Sequence, residues 1–170
     1  MGELIIGDYS YGIPIRRGKG NTITIGRFCQ IAENVRMDGG FQHNTKFIST
    51  YPFNQRFIEC EHLTGHPNIK GDIVIGDDVW IGEDVVIMSG VTIGSGSIIG
   101  LGAVISKDVL PYTIVVGAPQ QILRKRYTED QIKKLLELAW WNKPISEIKE
   151  IAPLLMSNNI DELLKLYKLI

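Results

Sequence analysis

Residues 75–110 read IGDDVW IGEDVV IMSGVT IGSGSI IGLGAV ISKDVL. Isoleucine stands at 75, 81, 87, 93, 99 and 105, every sixth residue without a miss. A small or β-branched residue follows four positions later: Val79, Val85, Val91, Ser97, Ala103 and Val109. Glycine usually sits beside the isoleucine, and the next position is polar in most hexads (Asp77, Glu83, Ser89, Ser95). Six is not a helical period, because apolar positions recurring every 3.6 residues drift away from it within two repeats. It is a multiple of the strand period, yet simple alternation would also make the polar position apolar. The pattern predicts a short strand, a turn and another short strand, with each isoleucine pointing into a shared interior and glycine relieving the corner. Hexads of this kind mark a parallel β-helix. Three hexads make one coil, coils stack at roughly 4.8 Å, and equivalent isoleucines pile into columns.

The phase extends outward. Ile69 and Ile73 continue it upstream, IGRFCQ from Ile25 and IAENVR from Ile31 form an earlier block ending at Met37, and Ile6-Gly7-Asp8-Tyr9-Ser10 is a fragment of the same unit. The repeat accounts for the surplus of 18 Gly and 26 Ile among 170 residues. A hydrophobic content of 44% excludes a mainly disordered chain. The 18 Lys+Arg against 19 Asp+Glu give a net charge of −1, with no electrostatic reason to expect nucleic acid or an anionic membrane as partner. Cys29 and Cys60 are too few for a disulfide framework and read as reduced thiols. No signal peptide and no run near the ~20 apolar residues of a membrane span is visible, so a soluble cytoplasmic protein is expected.

Two stretches break the phase: the basic, turn-rich residues 12–20, and residues 38–68. The second holds all three histidines (His43, His62, His66), Cys60 and the aromatics Phe41, Phe47, Tyr51, Phe53 and Phe57. A solenoid does not need so long an excursion, and long loops on a rigid scaffold are usually functional. Its aromatics predict that it packs against something. After Pro111 the repeat ends through VVGAPQQILRKR. Thr128-Glu129-Asp130-Gln131 is a capping box opening an amphipathic helix with Ile132, Leu135, Leu136 and Ala139 on its apolar face, closed by Trp140 and Trp141. Pro144 starts a second helix, Pro153 interrupts it, and residues 161–169 form a last one. These helices are expected to cover the open end of the last coil. The organisation is thus an all-β solenoid over residues 1–115 with an inserted active-site loop at 38–68, and a C-terminal α-helical appendage with its connector over 116–170.

Four segments carry a resemblance: Gly39-Gly40-Phe41-Gln42-His43, Ser49-Thr50-Tyr51-Pro52-Phe53, Asp78-Val79-Trp80-Ile81-Gly82 and Val116-Gly117-Ala118-Pro119. With the WWNKP stretch of the helical tail, the chain resembles the hexapeptide-repeat acyltransferases, and within them the xenobiotic (chloramphenicol- and streptogramin-type) acetyltransferase branch. The resemblance implies a left-handed parallel β-helix, a homotrimer, and acetyl-CoA as acyl donor in a groove between neighbouring prisms, completed by the loop of an adjacent subunit. His43 matches the family's catalytic histidine, a general base for direct transfer to a hydroxyl of a small acceptor, an antibiotic or a sugar. Tyr51 falls on the acceptor side, and Trp80 matches a tryptophan at the edge of the site, where trimer packing is an equal reading. Coenzyme contacts fall at Gly82, Leu101, Gly102, Ser106 and Lys107, with Pro119, Arg124 and Lys125 nearer the nucleotide end. The alternative for the basic run is a solvated lead-in to the helix. Two positions depart from the family: Gln42 stands where many relatives have Asn, and Gln121 where a basic residue is common.

Two rival readings remain. A carbonic-anhydrase-like metalloenzyme would need three histidines meeting around zinc. However, His62 and His66 lie outside the repeat, and together with Cys60 read as loop packing or acceptor contacts, so no metal is expected. A non-catalytic trimeric scaffold would have no use for His43 beside a basic run.

Overall fold

The computed structural model describes residues 2–18, 20–40 and 42–170. Its strands, in chain order, are β1 (Leu4–Ile6), β2 (Ile15–Arg17), β3 (Ile23–Ile25), β4 (Gln30–Ile31), β5 (Arg36–Asp38), β6 (Ile73–Ile75), β7 (Trp80–Ile81), β8 (Val86–Ile87), β9 (Thr92–Ile93), β10 (Ile98–Ile99), β11 (Val104–Ile105), β12 (Thr113–Val116) and β13 (Gln121–Lys125). They form three sheets, ordered β1-β3-β6-β9, β13-β12-β10-β7-β4 and β11-β8-β5-β2. From β3 to β11 the chain visits the first, second and third sheets in rotation, and every pairing of the named strands except β12 with β13 is parallel.

Register converts the period of six into columns. Ile25, Ile75 and Ile93 align in the first sheet, Ile31, Ile81, Ile99 and Val115 in the second, and Met37, Ile87 and Ile105 in the third. All are at most 4% exposed, and together with Val79, Val85, Val91, Ala103 and Val109 they make one continuous core. Each isoleucine withdrawn this fully from water contributes roughly 1.5–3 kcal/mol.

The corners differ from the sequence expectation. The left-handed backbone falls not on the glycine beside each isoleucine but two residues later: Asp78 (φ 54°), Asp84 (φ 58°), Gly90 (φ 79°), Gly96 (φ 71°) and Gly102 (φ 67°). Asp tolerates this conformation because its short polar side chain bonds locally. The glycine beside the isoleucine instead permits close stacking of coils: a Cβ on Gly82 would lie 2.7 Å from the backbone nitrogen of Leu101.

The C-terminal segment also differs. β12 continues the second sheet and β13 folds back antiparallel on it, so the connector expected from residue 116 holds a strand that covers the sheet edge. Thr128 caps α2 (Glu129–Leu138) with the reciprocal Gln131 bonds the sequence predicts, and Ala139 leaves the helix at φ 41°. α3 spans Ile145–Leu155 and runs through Pro153 in its last turn. Lys149, whose carbonyl loses its partner there, lies on the exposed face, where water can serve it. The last helix, here called α4 because the loop holds a short α1 (Phe53–Arg56), spans Ile160–Leu166.

The helices pack along the corner between the first and second sheets, whereas covering the end of the last coil was expected. At that corner Phe28 and Tyr112, both at positive φ, join a second core with Ile132, Leu135, Leu138, Trp141, Ile151, Leu163 and Leu164. Phe28 stacks on Tyr9 and meets Trp140, each at 4.9 Å between ring centroids, and Arg27 Nη1 donates to the Trp141 carbonyl at 2.5 Å. Large aromatics turned outward at this corner give the helices an apolar surface to pack on.

Candidate active site

The loop leaves the coils at the corner between the third and first sheets, after Asp38, and returns at β6. In the coils after the loop, β6 to β8 pair with β9 to β11 at 18 residues' distance, as Ile75 with Ile93, whereas Ile25 pairs with Ile75, 50 residues on. The excess is loop. Its base is closed by an antiparallel bridge between Gln42 and Asn68, with the Asn68 N–H donating to the Gln42 carbonyl at 2.7 Å. The Gln42 side chain turns back to Asp38 Oδ2 at 3.1 Å, so the residue that departs from the family pattern is spent on closing the loop base. Phe41, in the same motif, lies outside the described residues.

His43 follows immediately. Its Nδ1 lies 2.5 Å from the Thr50 carbonyl oxygen. A carbonyl only accepts, so Nδ1 carries the proton, and in the neutral imidazole Nε2 then keeps its lone pair. The ring is exposed, leaving Nε2 free to take a proton from an incoming group. The His66 ring sits edge-on to it, with centroids 4.5 Å apart, and Asn54 Nδ2 holds the His66 carbonyl at 2.9 Å. Desolvation and the neighbouring His43 pull the His66 imidazole below the ordinary histidine range. From the sequence, His66 reads as loop packing or an acceptor contact; nothing in the spacing of 43 and 66 signals that the two rings meet. His62 is exposed, and among the described residues no group of three or more His, Cys, Asp or Glu is placed to hold a metal ion.

Tyr51 lies beside the Thr50 that holds His43. Its ring packs with Phe53 at 5.0 Å and Phe57 at 6.2 Å. Tyr51, Phe53, Asn54 and His66 help line a cavity of about 90 Å³. Even so, Phe47, Tyr51, Phe53 and Phe57 each remain 44–50% exposed. Within one chain Tyr51, Phe53 and Phe57 pack on each other, and none of the four belongs to the core of the coils.

The coenzyme candidates fall in three places. Gly82, Leu101 and Gly102 lie at the corner between the second and third sheets, where the Gly102 N–H bonds to the Glu83 carbonyl at 2.8 Å. Gly82 is buried in the stack, Leu101 is 70% exposed, and a Cβ on Gly102 would find nothing within 4 Å, so this corner is open to a bound chain. Ser106 and Lys107 are exposed at the other end of β11, at the corner from which the loop also springs. Pro119 is exposed in the turn joining β12 and β13. Arg124 is exposed on β13, its Nη1 donating to the Lys125 carbonyl at 3.1 Å, and Lys125 is ion-paired with Glu129. The basic run thus begins on β13, which holds Arg124 and Lys125, with Arg126 just beyond its end.

Trp80 is 51% exposed on the second sheet, in register with Gln30 and Ile98. Ile98 pairs in turn with Ile114, and Ile114 with Arg124, so one row of the sheet runs from Gln30 through Trp80 to Arg124. The second sheet does not take part in the corner that carries His43. A single chain thus assembles His43 with Tyr51 and His66, and Gly102 with Ser106 and Lys107 along β11, but leaves Trp80 and Arg124 on another face.

A family model described as bacterial transferase hexapeptide (six repeats) matches residues 72–107. The chain is 36% identical to a chloramphenicol acetyltransferase of Agrobacterium fabrum, over 98% of this chain and 88% of that protein. To a probable macrolide acetyltransferase of Lysinibacillus sphaericus it is 42% identical, over 87% of this chain and 85% of that one. The chain belongs to the hexapeptide-repeat acetyltransferases. Within this family it is also similar in structure to a hexapeptide-repeat-containing acetyltransferase of Vibrio cholerae, with a TM-score of 0.57 and 32% identity, covering 74% of this chain and 64% of that one. Among the described residues, no helix is long and apolar enough to cross a membrane.

Proposed function

We propose that the protein is an acetyl-CoA-dependent O-acetyltransferase, working as a homotrimer of left-handed β-helices in the cytoplasm. The observation that carries this reading is the His43 ring, fixed through Nδ1 by the Thr50 carbonyl so that Nε2 is the free proton acceptor. His43 Nε2 removes the proton from an acceptor hydroxyl as its oxygen attacks the thioester carbonyl. The tetrahedral adduct collapses with cleavage of the carbon–sulfur bond, and His43 returns the proton to the departing thiolate. Acetyl ester and free CoA thiol result, and no covalent enzyme intermediate is needed.

Acetyl-CoA fits the residues present. The open space at Gly102 accepts a pantetheine arm along β11, Ser106 and Lys107 continue its path, and Lys107 and Arg124 supply charge for the phosphates. A neighbouring copy supports both gaps left by one chain: it covers the half-exposed loop aromatics and brings a second-sheet face, with Trp80 and Arg124, towards His43. Three equivalent sites follow from cyclic symmetry. The functional unit then divides into β-helix (1–115), acceptor loop (38–68) and C-terminal connector with helices (116–170). The acceptor is a hydroxyl of an antibiotic or of a sugar, in line with relatives named chloramphenicol, macrolide and virginiamycin A acetyltransferase.

The test is release of free thiol from acetyl-CoA over a panel of chloramphenicol, streptogramin and sugar acceptors. Acceptor-dependent release is expected. A protein that binds CoA and releases none with any acceptor would contradict the reading.

A further inference from the structure

The last coil has an unusual closure. In the inner coils alternate N–H groups of each strand are satisfied by the coil that follows: in the third sheet Val86 N–H bonds to the Ala103 carbonyl at 2.9 Å and Met88 N–H to the Ile105 carbonyl at 2.9 Å. After β11 no further strand of this sheet follows, yet its N–H groups are not abandoned. Val104 N–H finds the Gly117 carbonyl at 3.1 Å. Ser106 N–H, the counterpart of Met88 N–H, finds a side chain. Gln120 Oε1 accepts from Ser106 N–H at 2.7 Å and from Lys107 N–H at 2.8 Å, while Gln120 Nε2 donates to the Lys107 carbonyl at 3.2 Å. One carboxamide thus replaces the missing coil with three hydrogen bonds on two consecutive residues. The neighbouring Gln121, where relatives often carry a basic residue, makes no part of this closure.

We propose that Gln120 is a positioning residue for acetyl-CoA: it holds the Ser106–Lys107 turn in the shape that receives the coenzyme. This rests on the reading that Ser106 and Lys107 contact the coenzyme. Both residues are exposed and lie at the end of the coil, and among the described residues the hydrogen bonds to their N–H groups are those of Gln120. Two consecutive N–H groups drawn to one oxygen also set the direction in which the Lys107 side chain leaves the turn. Without the carboxamide, the turn must be ordered anew each time coenzyme binds, and that cost falls on coenzyme affinity rather than on chemistry at His43.

The test compares Gln120→Ala and Gln120→Met with the wild type; Met keeps the length of the side chain and loses every hydrogen bond. Both variants are expected to raise KM for acetyl-CoA about tenfold, equivalent to ~1.4 kcal/mol, with kcat and the acceptor KM within about twofold of wild type. Titration of CoA into each protein by calorimetry should show the same weakening. If the wild type binds CoA and both variants bind it equally well, the role of Gln120 is refuted while the acetyltransferase reading stands. A Met variant with wild-type KM would show that bulk, not hydrogen bonding, matters, and refutes it too. So does a general loss in kcat and both KM values, which marks a merely structural residue. Failure of the wild type to bind CoA at all overturns the underlying reading and this inference with it.

Discussion

Over residues 75–109, the first and fifth side chains of every hexad are buried; over residues 42–68, no described side chain is. The loop too carries large apolar groups, and the difference lies in what each region can reach. A hexad finds its partners in the coils before and after it, so the repeat is complete within one chain. The loop has no such neighbour. Phe53 and Phe57 stack at 5.9 Å and are each more than 40% exposed. Stability is concentrated in the part that repeats, and the chemistry proposed for His43 in the part that does not.

The largest stability effect that tests this contrast is in the coils. Ile87 is fully buried between Met37 and Ile105. Ile87→Ala should cost about 2–5 kcal/mol in denaturant unfolding, because stacked coils cannot collapse into the cavity. A loss below ~1 kcal/mol would break the comparison from the side of the core.

In the loop, the double substitution Phe53→Ser with Phe57→Ser should leave the circular dichroism of the coils unchanged yet weaken assembly. Sedimentation should give three times the 19.0 kDa chain for the wild type and dissociation on dilution for the variant. A wild-type protein that sediments as a monomer would show that the loop aromatics need no partner.

The joint between coils and helices is sharpened by pH. Burial pushes the Asp78 carboxyl up to about 6, against the pull of Arg126, while Asp77 adds to the rise. The folded chain therefore keeps a proton that the unfolded chain releases near pH 4. Between these values the native state binds more protons, so this group's contribution to stability falls as pH rises from about 4 to about 6. In Asp78→Asn that dependence should vanish: the Tm difference between wild type and variant should shift towards the wild type as pH is lowered from 6 to 4. Parallel melting curves across that range would refute it.

Much of the fold was legible in the sequence because it repeats. Ile75 through Ile105 at intervals of six all reach the interior, and Thr128 and Gln131 form the expected cap. The signal is local and redundant, so a single exception such as Met88 beside Ile87 does not hide it. The misplaced features are those decided between distant residues. The hairpin β13 follows no hexad, and only its pairing with β12 makes QILRK a strand. The helices choose a corner because Phe28 and Tyr112, 84 residues apart, share one column. In the site, the sequence motif pointed to His43 and Tyr51, since both sit in short specific segments. It could not signal the contact with His66 or the spending of Gln42 on Asp38, which depend on how the loop closes. Gln120 carries no sequence signal for the same reason: its bonds to Ser106 and Lys107 exist only because the third sheet ends at β11.

The central claim is that His43 accepts the proton of the acceptor hydroxyl. The measurement that tests it most directly is thiol release from acetyl-CoA by wild type and His43→Ala with the best acceptor of the panel, alongside calorimetric binding of CoA. Turnover in the variant should fall by roughly 10²–10⁴-fold while CoA binding stays near the wild-type value. Wild-type turnover in His43→Ala would contradict the account.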